Sequence, residues 1–175
     1  MTAAHRATVD VRPLRDDDGP WKAATLRSGW GSTAVARRGE LIDALPLDGF
    51  AALLAGEPAG LLTYRFGAGE LEVVTIQAEP SGVGVGRALM DAAADAGERL
   101  GAGRIWLVTT NNNVRALAFY QRWGMDLVAL DRFGVERSRA VKPGIPAVDA
   151  DGIPIRHEIE LERRLPRAGA LDSIP

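Results

Sequence analysis

The sequence predicts an α/β (α+β) fold, a single domain built on a mixed, mostly antiparallel central sheet of about seven strands with flanking helices. Three short apolar segments follow one another with only glycine-containing turns between them, which is typical of an antiparallel meander. A strand, a helix and another strand come next, and this crossover makes the sheet mixed. The 175 residues, 46% of them hydrophobic, suit one buried core and leave little room for two. We therefore expect one domain over residues 1–165 and a flexible tail over residues 166–175.

The first part of the chain predicts one strand and two helices. Val9 and Val11 alternate with polar residues, which predicts a strand over residues 8–14. An acidic cluster then precedes a helix over residues 21–28, since acidic residues favour a helix start. Residues 33–44 predict a second, weaker helix that ends before a proline.

The middle of the chain predicts the meander and the helix that follows it. Strands are expected over residues 49–55, 59–66 and 70–78, separated by Gly-Glu-Pro and Gly-Ala-Gly turns. After the glycine-rich segment 81–86, apolar residues recur at helical spacing as far as Leu100. A helix is therefore expected directly after the glycines.

The last part of the chain predicts three strands, a helix and an insertion. The run over residues 104–110 is rich in strand-forming residues, and residues 114–123 form a helix that Asn113 could cap. Two final strands are expected over residues 126–131 and 155–165. We expect the insertion between them, residues 132–154, to be a surface loop stiffened by proline; covering a cleft, binding an anionic acceptor and supporting a dimer stay open as alternatives.

Composition excludes several classes of function. A formal net charge of -2 gives no broad attraction to nucleic acid or to anionic lipid, so neither is an expected partner. The absence of cysteine excludes disulfides, thiolate nucleophiles and cysteine-bound metals. The two histidines, His5 and His157, suggest neither a metal site nor a catalytic triad, so no metal is expected. No segment resembles a secretory signal or a spanning helix, and we expect a cytoplasmic protein with no membrane partner.

The glycine-rich turn between a strand and a helix is the most informative segment. Glycines without a Cβ let the backbone approach a ligand closely, and the free N–H groups of a helix start bind anions. The segment is neither a Walker P-loop nor a Rossmann fingerprint, because Arg87 and Leu89 stand where those patterns need other residues. A diphosphate cradle of another kind remains, and the alternative is a tight turn whose glycines serve geometry alone. The predicted cofactor-binding residues of the turn are Gly82, Val83, Gly84, Val85, Gly86, Arg87 and Ala88.

Two motifs in the right order resemble the GNAT acyltransferase superfamily. Gly84-Val85-Gly86 matches the glycine half of its (Q/R)xxGx(G/A) signature, although Ser81 replaces the long polar residue. The segment beginning at Asn113 and running through Ala116, Tyr120 and Gly124 matches the NxxAxxxYxxxG(F) helix of the family, with Met in place of the final Phe. The order of predicted strands and helices is also similar to that of a GNAT domain.

This resemblance implies acetyl-CoA as co-substrate and assigns several residues. In the family, a bulge separates two strands and pantetheine enters the gap, so Ile76, Gln77 and Ala78 would supply main-chain contacts. An N–H in that stretch would stabilise negative charge on the thioester oxygen. Asn113 and Ala116 would contact the cofactor, with helix capping as the alternative role of Asn113. Tyr120 would contact the cofactor and protonate the departing thiolate, with simple core packing as its alternative.

Attack on the thioester requires a neutral amine. A lysine-like amine has a reference pKa of about 10.4, so its deprotonation near neutral pH costs about 4 to 5 kcal/mol and a general base is useful. Glu70 aligns with the base of some GNAT enzymes, and Glu72, two positions along the same strand, is the alternative. A surface carboxylate at the end of a strand is the other interpretation of Glu70.

The predicted function is therefore acyl-CoA-dependent N-acyltransfer to a primary amine of a small or amino-acid-like acceptor, by direct attack in a ternary complex. A protein N-terminus or lysine as acceptor, and a non-catalytic module that binds acyl-CoA, are the alternatives. A homodimer is also left open. The early helical region, which in this family lines the acceptor cleft, contains Arg27, Trp30, Arg37 and Arg38. Packing of the tryptophan and a solvated face for the arginines are the other interpretations.

Overall fold

A computed structural model describes residues 8–166 of the protein. This part of the chain contains four α-helices and nine strands, with a short 3-10 turn at Asp16–Asp18. Their bounds are β1 Val9–Pro13, α1 Gly19–Trp30, β2 Ala34–Arg37, β3 Glu40–Asp43, β4 Gly49–Leu54, β5 Glu57–Gly67, β6 Glu70–Ala78, α2 Val85–Arg99, β7 Arg104–Thr110, α3 Val114–Trp123, β8 Asp126–Asp131, α4 Gly134–Val141 and β9 Glu158–Arg164.

Seven of the strands form one sheet in the order β1-β4-β5-β6-β7-β9-β8. The meander β4-β5-β6 is antiparallel, as expected from its short turns. Because α2 carries the chain across one face, β6 and β7 are parallel, whereas β9 pairs antiparallel with both β7 and β8. The predicted mixed, mostly antiparallel sheet with flanking helices is therefore confirmed.

The two faces of the sheet carry separate apolar clusters. Leu61 and Leu62 are consecutive residues of β5 and fully buried on opposite faces, as the alternation of a strand requires. The Leu62 face packs against α2 and α3, with Leu89 at the centre of that larger cluster. The Leu61 face packs against Leu26 of α1 and Ile42 of β3. The cleft described below is lined by residues of both clusters, among them Val73 of the larger and Val74 of the smaller.

The helix predicted over residues 33–44 is wrong. Strands β2 and β3 form a separate hairpin there, in which Val35 lies opposite Ile42. Its two-residue turn consists of Arg38 and Gly39, with φ values of 52° and 74°. Two successive positive φ values make a type I′ turn, which joins tightly paired strands and cannot lie inside an α-helix.

The surface loop predicted over residues 132–154 is wrong in part, since it contains α4. This helix packs against β2 and β3, and it buries Val135 and Ser138 almost completely. The prolines of the insertion all lie after α4, where the chain forms only an isolated bridge between Val148 and Pro154. The last strand also begins later than predicted, at Glu158.

Two further predictions concern the C-terminal tail and membrane-spanning segments. The predicted flexible tail lies, apart from Pro166, outside the described residues. Within residues 8–166, no helix has both the length and the apolar character needed to cross a membrane.

Candidate active site

A wedge-shaped gap opens between the neighbouring strands β6 and β7. The strands pair only at Leu71 with Ile105 and at Glu72 with Trp106, and they separate beyond these residues. The register of β6 with β5 shifts at the same level and leaves Val74 as an extra residue, which is a β-bulge. Because a bulge bends its strand, it accounts for the separation. The bulge that the family resemblance implies is therefore present.

The gap continues into a cleft of about 470 Å³. Its walls are the separated ends of β6 and β7, the end of α1, the hairpin strand β2 and the insertion that follows α4. The volume falls in the range of small-molecule sites. Of the four residues predicted near the acceptor, Trp30 and Arg37 line the cleft, whereas Arg27 and Arg38 do not.

The glycine-rich turn is exposed at the start of α2, next to the carboxyl end of β6. Gly82 and Gly84 have φ values of 83° and 95°, which an L side chain rarely adopts. A Cβ added at either position meets no atom within 4 Å, so the space beside the turn is open. The first helical hydrogen bond runs from the Ala88 N–H to the Gly84 carbonyl at 3.0 Å, and the amides before it point out of the helix start. This geometry suits an anion.

The other residues of the turn differ in the exposure and packing of their side chains. The Val85 side chain is 1% exposed and belongs to the core, so only its backbone can face a ligand. Gly86 serves packing, because an added Cβ would lie 3.3 Å from Cζ of Phe119 on α3. The side chains of Val83 and Arg87 are exposed, and Arg87 lies 3.8 Å from Asp91. Glycine therefore suits the turn for two different reasons, a positive φ at Gly82 and Gly84 and close packing at Gly86.

The predicted pantetheine strand lies at the open edge of the gap. Gln77 and Ala78 pair with Leu61 and Gly60 of β5, so one side of their backbone is occupied. The other side faces the gap, because the pairing of β6 with β7 has ended before Ile76. Ile76 also lines the cleft. All three residues are therefore placed as a strand edge that can accept an extended ligand.

Asn113 and Ala116 differ in their relation to the cleft. Asn113 stands at the start of α3, but its side chain makes no capping hydrogen bond. Its Nδ2 instead donates to Thr109 Oγ1 at 3.3 Å, and the residue lines the cleft. Capping by the side chain is therefore not its role in this structure. Ala116 packs against the larger core cluster and does not line the cleft.

Tyr120 combines burial with access to the cleft. The residue is 6% exposed and lines the cleft wall, and its ring packs beside Phe119 with centroids 5.3 Å apart. Burial raises the pKa of its hydroxyl above the ordinary value, because the phenolate would lose hydration. The phenol is therefore protonated at neutral pH and can donate a proton or a hydrogen bond.

The two carboxylates predicted as bases lie away from the cleft wall. Glu72 is 3% exposed, and its two oxygens accept hydrogen bonds from Arg37 Nε at 2.6 Å and Arg65 Nε at 2.5 Å. Glu70 begins β6 and forms an ion pair with Arg104 at 2.9 Å. Neither carboxylate lines the cleft, so this placement disfavours both as the base that meets an amine there.

Glu158 is a cleft carboxylate that the sequence analysis did not single out. It begins β9, is 3% exposed and lines the cleft. Its Oε1 accepts a hydrogen bond from Ser138 Oγ at 2.5 Å, and its Oε2 accepts one from the Arg38 backbone N–H at 2.8 Å. The alternating glutamates of this strand were visible in the sequence, but all face one side and nothing local distinguishes the one that reaches the cleft.

Lys142 lines the cleft on the side of the insertion. Its Nζ donates to the backbone carbonyl groups of Trp30 at 2.7 Å and Ala34 at 2.6 Å. The residue after α4 is thereby tied to the end of α1 and to β2. In the part of the chain that the structure describes, no group of three or more His, Asp or Glu side chains is placed to hold a metal ion.

Comparisons with known proteins agree on one family. The profile of the acetyltransferase (GNAT) family matches residues 15–125. The uncharacterized protein YdhI of Bacillus subtilis (strain 168) is 37% identical over 131 residues, which cover 74% of this chain and 82% of that protein. Streptothricin acetyltransferase of Streptomyces lavendulae is 38% identical over 80 residues, which cover 43% of this chain and 42% of that protein.

A solved structure shares the fold. The putative streptothricin acetyltransferase from Bacillus anthracis str. Ames, in complex with acetyl coenzyme A, superposes with a TM-score of 0.63 at 16% identity. The match covers 93% of this chain and 100% of that one. At this identity the likeness shows the fold alone.

Proposed function

This chain belongs to the GNAT acetyltransferase family, and from that premise we propose that it transfers an acetyl group from acetyl-CoA to a primary amine by direct attack in a ternary complex. The observation that carries the proposal is the exposed glycine turn, with its open helix start, at the mouth of the gap between β6 and β7. The two features adjoin along the chain, so one extended ligand with a diphosphate and a β-like arm fits both.

The N–H groups at the start of α2 hold the diphosphate. A hydrogen bond to a charged group contributes about 1.5 to 3 kcal/mol, so several such bonds suffice without a lysine. The pantetheine arm then lies along residues 76–78, and Asn113 contacts it from the opposite wall. A backbone N–H of this edge faces the thioester oxygen and stabilises its developing negative charge.

The acyl transfer proceeds through one tetrahedral intermediate. The neutral amine nitrogen forms a bond to the thioester carbon, and the C–S bond then breaks. Tyr120 gives its proton to the departing sulfur and recovers one from the acetylated nitrogen. The products are the amide and CoA thiol, and the proton lost earlier by the ammonium group goes to solvent.

A small amine is the proposed acceptor. The cleft volume of about 470 Å³ supports a small molecule. The partial match to a streptothricin acetyltransferase makes streptothricin one acceptor to include in a screen. A protein N-terminus or lysine is the competing acceptor, and peptides belong in the same screen.

Binding and turnover are tested separately. Acetyl-CoA should raise the Tm of the protein, and CoA thiol should be released when a panel of amines is supplied. Tyr120→Phe should lower kcat by about 100- to 10,000-fold, because it removes the proton donor while keeping the buried ring. Its KM for acetyl-CoA should change little.

The chain offers a matched control, since Tyr64 is the only other tyrosine. Tyr64 lies on β5 and does not line the cleft, so Tyr64→Phe should leave kcat unchanged. Binding without turnover on any amine or peptide would favour the non-catalytic alternative. Absence of any acetyl-CoA effect on Tm would overturn the proposed function itself.

A further inference from the structure

Glu158 is a buried carboxylate without a cationic partner. Only neutral donors reach its oxygens, namely the Ser138 hydroxyl and the Arg38 backbone N–H. Among residues 8–166, no lysine, arginine or histidine nitrogen lies within ion-pair distance of it. Removing a charge from water is costly unless an opposite charge compensates it. Within the described residues, no cation of the chain itself compensates this carboxylate, and a positively charged ligand in the cleft would do so.

The acidic neighbours of Glu158 do not share this property. Glu160 and Glu162 follow on the same strand and the same face, and Asp131 lies directly opposite on β8. Each of the three forms an ion pair with one or more arginines. Glu158 therefore differs from these three carboxylates, each of which is paired with an arginine of the chain.

Two separate segments, helix α4 and the turn of the β2–β3 hairpin, hold the Glu158 carboxylate in place. Ser138 of α4 donates to it and accepts in turn from the Gly39 N–H of the hairpin turn at 3.3 Å. A Cβ added at Gly134 would lie 3.1 Å from Glu158 Oε2, so glycine leaves room for the carboxylate. A side chain held by such contacts loses little freedom when it binds a ligand.

Glu158 also lies at the correct end of the cleft. It pairs with Thr110, the last residue of β7, at the end where β6 and β7 have separated. Asn113 and Tyr120, which are assigned to the cofactor side, line the same cleft. A cation that reaches Glu158 therefore shares the cleft with the thioester end of the cofactor.

We propose that Glu158 binds the ammonium group of a cationic primary-amine acceptor and takes one proton from it before the attack on the thioester. The inference rests on the proposed acetyl transfer and deepens it by naming the acceptor class and the group that receives it. One N–H bond of the ammonium breaks and one O–H bond forms on the carboxylate. The neutral amine then attacks, and Glu158 releases its proton to solvent after the products leave.

The test compares a cationic amine with a neutral one on the native chain and three variants. Putrescine is cationic at neutral pH, whereas 2,2,2-trifluoroethylamine is mainly neutral. Glu158→Gln should lower kcat/KM for putrescine by at least about 10- to 100-fold, the loss expected for one charge-assisted bond. The loss should appear both as a higher KM for the amine and as a lower kcat, because the proton acceptor is removed as well. The same variant should change kcat/KM for trifluoroethylamine by less than about threefold. The KM for acetyl-CoA should not change.

Glu160→Gln is the matched control, because it makes the same substitution on the same face of the same strand. Its carboxylate is already paired with Arg38 and Arg104, so it should affect both amines equally. Glu158→Asp keeps the charge but shortens the side chain, and it should discriminate against putrescine less than the Gln variant does. It also serves as the second variant if Glu158→Gln no longer responds to acetyl-CoA.

The outcomes separate this inference from the function on which it rests. If the native chain acetylates no amine, the proposed function fails and the role of Glu158 fails with it. If the native chain is active but Glu158→Gln loses equal activity on both amines, or none, the inference alone is overturned. If the Gln variant does not fold, equal losses on both amines in Glu158→Asp overturn it in the same way.

Discussion

Replacing Gly84 by alanine should separate backbone strain from cofactor binding. Gly84 has a φ of 95°, and an L residue in the left-handed region costs about 1 to 2 kcal/mol. For a chain of this size, 1 kcal/mol corresponds to about 2 to 4 °C in Tm, so Gly84→Ala should lower Tm by about 2 to 8 °C. The new methyl group would also occupy the open side of the helix start. Losing one charge-assisted bond to the diphosphate would raise the Kd for acetyl-CoA by about 10- to 100-fold.

The opposite end of the same helix supplies the control. Gly101 follows α2 with a φ of 78°, and an added Cβ there also meets no atom within 4 Å. Gly101→Ala should therefore cause a similar fall in Tm but leave the Kd unchanged. Calorimetric titration with acetyl-CoA measures Kd, and thermal denaturation without ligand measures Tm. Equal Kd values in the two variants would refute the assignment of this turn to the cofactor.

Two further predictions concern ion pairs. Glu72→Gln should lower the free energy of unfolding by about 3 to 5 kcal/mol, because it leaves the buried Arg37 guanidinium without its partner. Glu70→Gln should lower it by less than about 1 kcal/mol, because the ion pair of Glu70 is partly exposed. Equal losses of the two variants in urea unfolding would contradict this difference. Asp18 accepts two hydrogen bonds from Arg12, and these lower the pKa of the Asp18 carboxyl to about 2. The contribution of Asp18 to stability is therefore complete above the ordinary pKa of a carboxyl and is lost as pH falls towards 2. Asp18→Asn should flatten the acid limb of the Tm profile between about pH 4 and pH 2, and an unchanged limb would show that other carboxylates cause it.

Most strands and helices could be predicted from the sequence because their signals are local. The strand β7 and the helix α3 were predicted with the bounds that the structure has, since a β-rich run and a helix ending at Gly124 need no distant contact. The hairpin β2–β3 was missed because its turn uses Arg38 and Gly39, a pair with a weaker turn signal than Asn-Gly. The helix α4 was missed because it is short and is stabilised by packing against that hairpin.

The sequence by itself determined the family, the mixed sheet and the segments expected to hold the cofactor, because motifs of fixed spacing and turns rich in glycine act over short distances. Only the tertiary structure decided which of the acidic residues lines the cleft. Glu70, Glu72 and Glu158 are the same residue type, and the sequence around each of them does not predict its partner. In the structure Glu70 and Glu72 pair with arginines, whereas Glu158 accepts from Ser138. The availability of a carboxylate depends on cations contributed by distant strands, and that pairing exists only once the sheet, the hairpin and the insertion have come together.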